Sequence, residues 1–141
     1  MRYLGLDLGT KTLGLALSDK LGIIASSYGT IRFENEDYDS LLEPIKNIVD
    51  KENVDIIVLG YPINMNNTIG DRAIKTLEFK DKLSNYLNKD IYMQDERLSS
   101  VEANNYLIQS DISRKKRKTK VDSVAATIIL ETFMERRKNN E

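Results

Sequence analysis

The chain has 141 residues, of which 40% are hydrophobic and 30% charged, and its formal net charge is -1. Such a composition describes a globular domain with a real core, and no apolar run reaches the roughly 18–20 residues needed to cross a bilayer. Cysteine and histidine are both absent, which excludes disulfides, thiolate and imidazole metal sites, Ser-His-Asp triads and imidazole bases. Any chemistry must come from carboxylates, hydroxyls, lysines and hard metal ions. A cytoplasmic location without a membrane partner is expected.

Tyr3 to Leu8 reads as a buried strand, and Thr12 to Ser18 alternates as its hairpin partner around a tight turn at Gly9. Ile23 to Phe33 is a third extended stretch, with Gly22 and Gly29 suited to strand entry and a bulge. The period then changes. Leu41, Ile45, Ile48 and Val49 have helical spacing, Asp39 or Ser40 would cap that helix, and Pro44 would delay its regular part. Val54 to Gly60 is a compact apolar strand, and a polar loop from Asn64 to Gly70 leads to a helix from Asp71 to Asn88 with Leu77, Leu83 and Leu87 inward. Lys89 to Gln94 is a short strand ending on Asp95-Glu96. Two helices close the chain, Ser99 to Gln109 and Thr119 to Arg137, the second with Val121, Val124, Ala125, Ile128 and Thr132 on one stripe. Strand–helix–strand passages require right-handed parallel crossovers. The expected architecture is α/β: a mixed five-stranded sheet with helices on both faces, one domain over residues 1–141.

In an open sheet of this kind, sites form beyond the carboxyl ends of the parallel strands. Asp7 ends the first of these strands beside Gly9-Thr10-Lys11-Thr12, and Asp95-Glu96 end the third. A carboxylate buried there needs a cation, a donor or a metal. Asp7 could also cap its own turn, but its place beside Lys11 favours function. Adjacent strand residues face opposite ways, so only one of Asp95 and Glu96 can serve, and Glu96 is preferred. Asp122 is a third candidate, although Thr119-Lys120-Val121-Asp122 also fits a helix-start pattern. Three carboxylates would suit Mg²⁺ or Mn²⁺, able to serve phosphodiester hydrolysis. Lys11 and the hydroxyls of Thr10, Thr12 and Ser18 would lie near the phosphate. Glu102, in the capping box Ser99-Ser100-Val101-Glu102, is structural by preference.

Charge is polarised along the chain. Arg114, Lys115, Lys116, Arg117, Lys118 and Lys120 place six cations in seven residues, read as a loop that binds phosphates. Arg136-Arg137-Lys138 form a second basic group, and acids collect between Glu34 and Asp39.

Four segments together resemble the YqgF or RuvX family of Holliday-junction resolvases, whose members are assigned as pre-16S rRNA nucleases. They are Leu4-Gly5-Leu6-Asp7-Leu8-Gly9-Thr10-Lys11 with Gly14 and Ser18-Asp19, Val58-Leu59-Gly60-Tyr61-Pro62-Ile63-Asn64-Met65, Asp95-Glu96-Arg97-Leu98-Ser99-Ser100-Val101-Glu102-Ala103 and Lys120-Val121-Asp122-Ser123-Val124-Ala125-Ala126. The resemblance implies a ribonuclease H-like fold with strand order 3-2-1-4-5 and catalytic, metal-binding acids at Asp7, Glu96 and Asp122. It also implies divalent-metal-dependent hydrolysis of nucleic acid, with maturation of the 5′ end of pre-16S rRNA as its purpose in ribosome biogenesis. Resolvases of that fold often carry a further acid one turn along the last helix, where this chain has Ala125 and Ala126. Three other readings stay open. One is a resolvase of branched DNA. Another is a non-catalytic nucleic-acid-binding assembly factor. The last is the ATP-binding fold of actin-like proteins and sugar kinases, which opens on a similar Asp-x-Gly-Thr-Lys turn but pairs two such domains.

Overall fold

Alternation of leucines builds the first layer. In β1 (Tyr3–Leu8) and β2 (Thr12–Ser18), Leu4, Leu6, Leu8, Leu13, Leu15 and Leu17 join one core, while Tyr3 and Ala16 join another on the opposite side of the sheet. The two strands pair antiparallel from Leu4↔Leu17 to Leu8↔Leu13, and the turn closes where Gly9 N–H donates to Thr12 O at 2.8 Å. β3 (Ala25–Arg32) pairs antiparallel with β2, and the register shifts between Leu15 and Ala16, where Gly29 permits the expected bulge. The computed structural model describes residues 1–61, 70–95 and 114–139, of which 95, 114–122 and 139 are described as backbone only.

A 3-10 turn (Tyr38–Leu41) runs into α1 (Leu42–Glu52), followed by β4 (Ile56–Tyr61), α2 (Asp71–Leu87), β5 (Ile91–Asp95) and α3 (Arg114–Asn139). β4 lies parallel beside β1 and β5 parallel beside β4, so the order is β3-β2-β1-β4-β5, as expected. Helices α1 and α2 cover the leucine face through Ile45, Val49, Phe79 and Leu83. α3 covers the other face, where Ala126, Ile129 and Leu130 meet Tyr3, Ala16, Ile56 and Val58. Both crossover helices stop on an asparagine in the left-handed conformation, Asn53 and Asn88, which that residue tolerates better than most.

Several expectations are corrected here. Neither Asp39 nor Ser40 caps α1: its N-cap is Leu41, and the Ser40 hydroxyl donates to Asp37 O instead. Pro44 does not delay the helix, because it falls in the first turn, where its missing N–H has no partner to lose. Leu77 is exposed rather than inward. α2 is phased instead by Ala73, Thr76, Phe79 and Leu83, and the Phe79 ring fills the interior against Tyr38 at 6.1 Å.

α3 differs most. It begins at Arg114, not Thr119, so the basic run 114–120 is helical backbone rather than a loop. Lys and Arg are good helix formers, and no Gly or Pro interrupts 114–139. Among its described side chains the buried ones are Ser123, Ala125, Ala126, Ile129 and Leu130, with Thr132 exposed, so over 123–138 the stripe is rotated from the expected one. Small size decides this rotation more than hydrophobicity. The helix crosses the sheet where Gly5 and Ala16 leave room, and a Cβ on Gly5 would sit 2.9 Å from Leu130 Cβ and 3.1 Å from the Ala126 carbonyl oxygen. Gly5→Val should therefore destabilise the fold by about 2–3 kcal/mol, read as a lower urea midpoint at unchanged m-value. The predicted helix from Ser99 to Gln109, with Glu102, lies outside the described residues.

Candidate functional site

Period-two alternation puts Asp7 on the α3 side of β1, with Tyr3 and Gly5, and the residue is buried. Its neighbours across the sheet are unusual. Gly14 is its antiparallel partner on β2. On the other side, one step past the Leu6↔Leu59 pair lies Gly60, which in turn pairs with Gln94. Asp7 is therefore flanked on both adjacent strands by residues that have no side chain. Neither neighbouring strand projects a side chain at that level, about 4.8 Å to either side of it. An acidic group so placed, at the carboxyl edge of three adjacent parallel strands, has the form of a ligand site.

The turn after Asp7 is held by its backbone. Thr10 O accepts the Glu36 N–H at 2.8 Å and Lys11 O accepts the Phe33 N–H at 2.9 Å, and both residues are exposed. From the other layer, Arg72 Nη2 donates to Leu8 O at 2.9 Å and ties the start of α2 to the end of β1. Ser18 is not part of this edge. It lies at the far end of β2, where its Oγ accepts the Tyr3 N–H at 2.8 Å and donates to Asp19 O. Antiparallel pairing sends the two ends of a hairpin strand to opposite edges, so its expected place near the phosphate is corrected.

α3 crosses all five strands. Ser27 on β3 meets Thr127 Oγ1 at 3.1 Å, Gly5 on β1 meets Ala126 and Leu130, and Phe133 packs on Tyr92 of β5 at 5.5 Å. One flank borders the level of Asp7, since Arg136 Nη1 donates to Gln94 Oε1 at 2.7 Å. The other flank faces the opposite edge, where Arg137 lies over the rings of Tyr3 and Tyr92 at 5.9 and 5.7 Å. Positions 122, 129 and 136 are seven apart and share a helix row to within about 40°. Position 122 thus belongs to the row that carries buried Ile129 and ends on the Arg136–Gln94 bond. It also stands about two turns inside α3, so the helix-start explanation of Thr119-Lys120-Val121-Asp122 is corrected.

Glu96 lies outside the described residues. Position 95 pairs with Tyr61 and shares the parity of Ile91 and Met93, which pack in the α1–α2 layer. Tyr92 and Gln94 take the α3 side. Among the described residues no three acidic side chains form a ready metal cage. Two of the acids between Glu34 and Asp39 have structural partners on α2: Glu36 pairs with Lys75, and Asp39 with Lys82 at 3.1 Å. The hydrogen bond from Lys75 to Glu36 holds that amine above its ordinary range.

Three contributors escaped sequence reasoning. The Gly14–Asp7–Gly60 level needs the strand register to be seen. The Arg136–Gln94 bond joins a residue read as part of a basic cluster to one read as a strand filler. Arg72 carried no signal at all.

A family model described as RuvX, Holliday junction resolvase, matches residues 1–136. A Clostridium botulinum protein named "Putative pre-16S rRNA nuclease" is 50% identical over 135 residues, covering 96% of this chain and 97% of its own. A Clostridium kluyveri protein of the same name is 48% identical over 136 residues, covering 96% and 98%. Among solved structures, Thermus thermophilus RuvC bound to a Holliday junction aligns with TM-score 0.60 at 11% identity, over 98% of this chain and 96% of that one. The Fowlpox virus resolvase in complex with junction DNA aligns with TM-score 0.61 at 13% identity, over 97% and 99%. Those two likenesses establish the ribonuclease H-like fold that the sheet order already describes. On the match over nearly its whole length, the chain belongs to the RuvX family.

Proposed function

We propose that the chain is a divalent-metal-dependent nuclease that trims pre-16S rRNA, with Asp7, Glu96 and Asp122 as its catalytic acids. The observation that carries this reading is the buried Asp7 standing between Gly14 and Gly60 at the carboxyl edge of the parallel strands. The helix row of position 122 borders that level, and Glu96 follows directly in the sequence on β5, whose carboxyl end lies at the same edge. The substrate follows from the relatives' name and the near-complete match to them.

The donor chemistry fits a hard cation. With no histidine or cysteine in the chain, only oxygen ligands are on offer, which suits Mg²⁺ or Mn²⁺. Asp7, Glu96 and Asp122 would hold the ion, which when bound supplies charge neutralisation and Lewis acidity at the phosphoryl oxygens. Asp7 is anchored by strand pairing on both sides, so its carboxylate is set in place before substrate arrives. The exposed Thr10 and Lys11 offer a hydroxyl and an ammonium to the phosphate beside it. Arg114, Lys115, Lys116, Arg117, Lys118 and Lys120 hold flanking phosphates. Six cations at a helix N-terminus oppose the helix dipole, and an anionic polymer relieves both that conflict and their mutual repulsion. A further acid at Ala125 or Ala126 has no place in this chain, because both positions are buried in the contact between helix and sheet.

The test is cleavage of end-labelled pre-16S RNA, with a four-way DNA junction in parallel, in Mg²⁺, Mn²⁺ or excess chelator. Cleavage of the RNA is expected with either metal and none with chelator. Glu96→Gln should lose about 10²-fold or more in rate, whereas Asp95→Asn should stay within about threefold of the parent. Cleavage that persists in chelator refutes the metal dependence. Loss confined to the Asp95 variant refutes the site, and cutting of the junction alone refutes the substrate.

A further inference from the structure

α3 lies along a single row of the sheet. Ser27, Ala16, Gly5, Val58 and Tyr92 are successive cross-strand neighbours on β3, β2, β1, β4 and β5. Ser27 meets Thr127, Gly5 meets Ala126 and Leu130, and Tyr92 meets Phe133. Helix numbers thus fall from β5 towards β3, and residues 114–122 continue past the β3 edge as about 13 Å of further helix. The segment that carries six cations therefore lies outside β3, and Asp7 lies two strands inside it. An RNA held at both places crosses the ends of β2 and β3 at the Asp7 edge.

Arg32, the last residue of β3, lies on that crossing. Ile31 and Phe33 pack in the α1–α2 core, so alternation turns Arg32 to the α3 side of the sheet, which is the side of Asp7. β3 is antiparallel to β2 and β2 to β1, so β3 and β1 end at the same edge. Arg32 is paired with Thr12, and directly opposite residues stand about 4.5–5.5 Å apart. On the other side of Thr12, a Cβ built on Gly9 would lie 3.4 Å from the Thr12 hydroxyl. That hydroxyl therefore stands between Arg32 and the turn that follows Asp7. The end of β3 is fixed in place, because Phe33 N–H donates to Lys11 O at 2.9 Å. Arg32 itself is exposed and, among the described residues, has no hydrogen-bond or ion-pair partner.

A guanidinium with no carboxylate on it, beside a hydroxyl on the same face, suits a phosphate, which accepts paired N–H donors. Two strand spacings of about 4.8 Å and one side-chain repeat of about 6.8 Å separate Arg32 from Asp7. That is too far for the reacting phosphate and fits one further along the polymer. We propose that Arg32, with Thr12 beside it, binds a backbone phosphate flanking the scissile one, and that the RNA leaves the site over the ends of β2 and β3 towards the start of α3. The proposal rests on the nuclease reading for the place of the scissile phosphate. A charge that only guarded an edge strand against pairing with another chain would have no effect on RNA.

Binding of end-labelled pre-16S RNA in Ca²⁺ and single-turnover cleavage in Mg²⁺ test it. Arg32→Gln should weaken binding about fivefold to tenfold and lower the slope of log affinity against log salt by about 1, with the cleavage rate at saturating RNA within about twofold. Arg32→Glu, which still leaves a charge to guard the edge, should weaken binding further, and Arg32→Lys should bind within about twofold of the parent. Lys20→Gln removes one exposed cation from the β2–β3 turn at the opposite edge and should bind as the parent does. Single methylphosphonates, scanned through the RNA, should reveal a position whose neutralisation weakens the parent and leaves Arg32→Gln unchanged. Parent-like binding by Arg32→Gln overturns the proposal. So does an equal loss in Lys20→Gln, or a scan in which every position affects parent and variant alike. A parent that binds the RNA and cuts nothing strikes the nuclease reading alone, since the binding comparisons still decide whether Arg32 holds a phosphate.

Discussion

Asp7→Asn is expected to lower metal-dependent cleavage by about 10³-fold or more while leaving RNA binding within about threefold. The replacement keeps the size of the side chain and removes only its charge. Asp7 is buried between Gly14 and Gly60, with no side chain beside it on either neighbouring strand, so no adjacent acid on those strands can stand in for it. Binding should survive because the proposed phosphate contacts are the cations of the turn and of α3, which the change does not touch. The fold should be retained, since the replacement is nearly isosteric. Single-turnover cleavage, a binding isotherm with labelled RNA in Ca²⁺ and a thermal melt of the same preparation measure all three. A variant that still cuts at the parent rate removes Asp7 from the chemistry. One that neither cuts nor binds, with its melt intact, makes Asp7 a binding residue only.

The fold was legible because two periods switch cleanly along the chain. Alternating leucines in Leu4–Leu8 and Leu13–Leu17 fix which face is buried, and right-handed crossovers through α1 and α2 then leave one arrangement for the parallel strands. Asp7 was legible for the same reason, as the one polar residue on a strand otherwise committed to burial. What the sequence hid is three-dimensional in origin. Gly14 and Gly60 read as ordinary strand glycines until register sets them either side of Asp7. The buried stripe of α3 could not be read from hydrophobicity, since Ser123, Ala125 and Ala126 lie inside where the sheet offers Gly5 and Ala16, while Thr132 stays out. Residues 114–120 read as a loop because a charge run is a solvated segment by default and Thr119 offers a helix start, yet Lys and Arg are good helix formers and the helix extends back through them.

That the basic run is helical has a consequence that separates it from a flexible phosphate-binding loop. Lys115→Gln, Lys116→Gln and Lys118→Gln together keep helix propensity almost unchanged and remove three charges. They should weaken RNA binding roughly tenfold to a hundredfold and lower the slope of log affinity against log salt by about 2–3. The cleavage rate at saturating RNA should hold, because none of these positions is placed at the reacting phosphate. Lys118→Pro removes only one charge, yet its effect should be larger and of another kind. Proline in a helix interior costs about 3 kcal/mol and deletes the bond to the preceding turn. Position 118 lies one turn before Asp122, so the break falls where the helix carries the proposed ligand towards the level of Asp7. In a loop the same substitution would act as the loss of one cation. As part of α3 it should cut the saturated rate by about tenfold or more and lower helical ellipticity at 222 nm, while the salt slope falls by about 1. Equal behaviour of Lys118→Pro and Lys118→Gln in rate and ellipticity would show that the cations stand on a segment uncoupled from Asp122, and the helical route from phosphate grip to catalytic acid would be wrong.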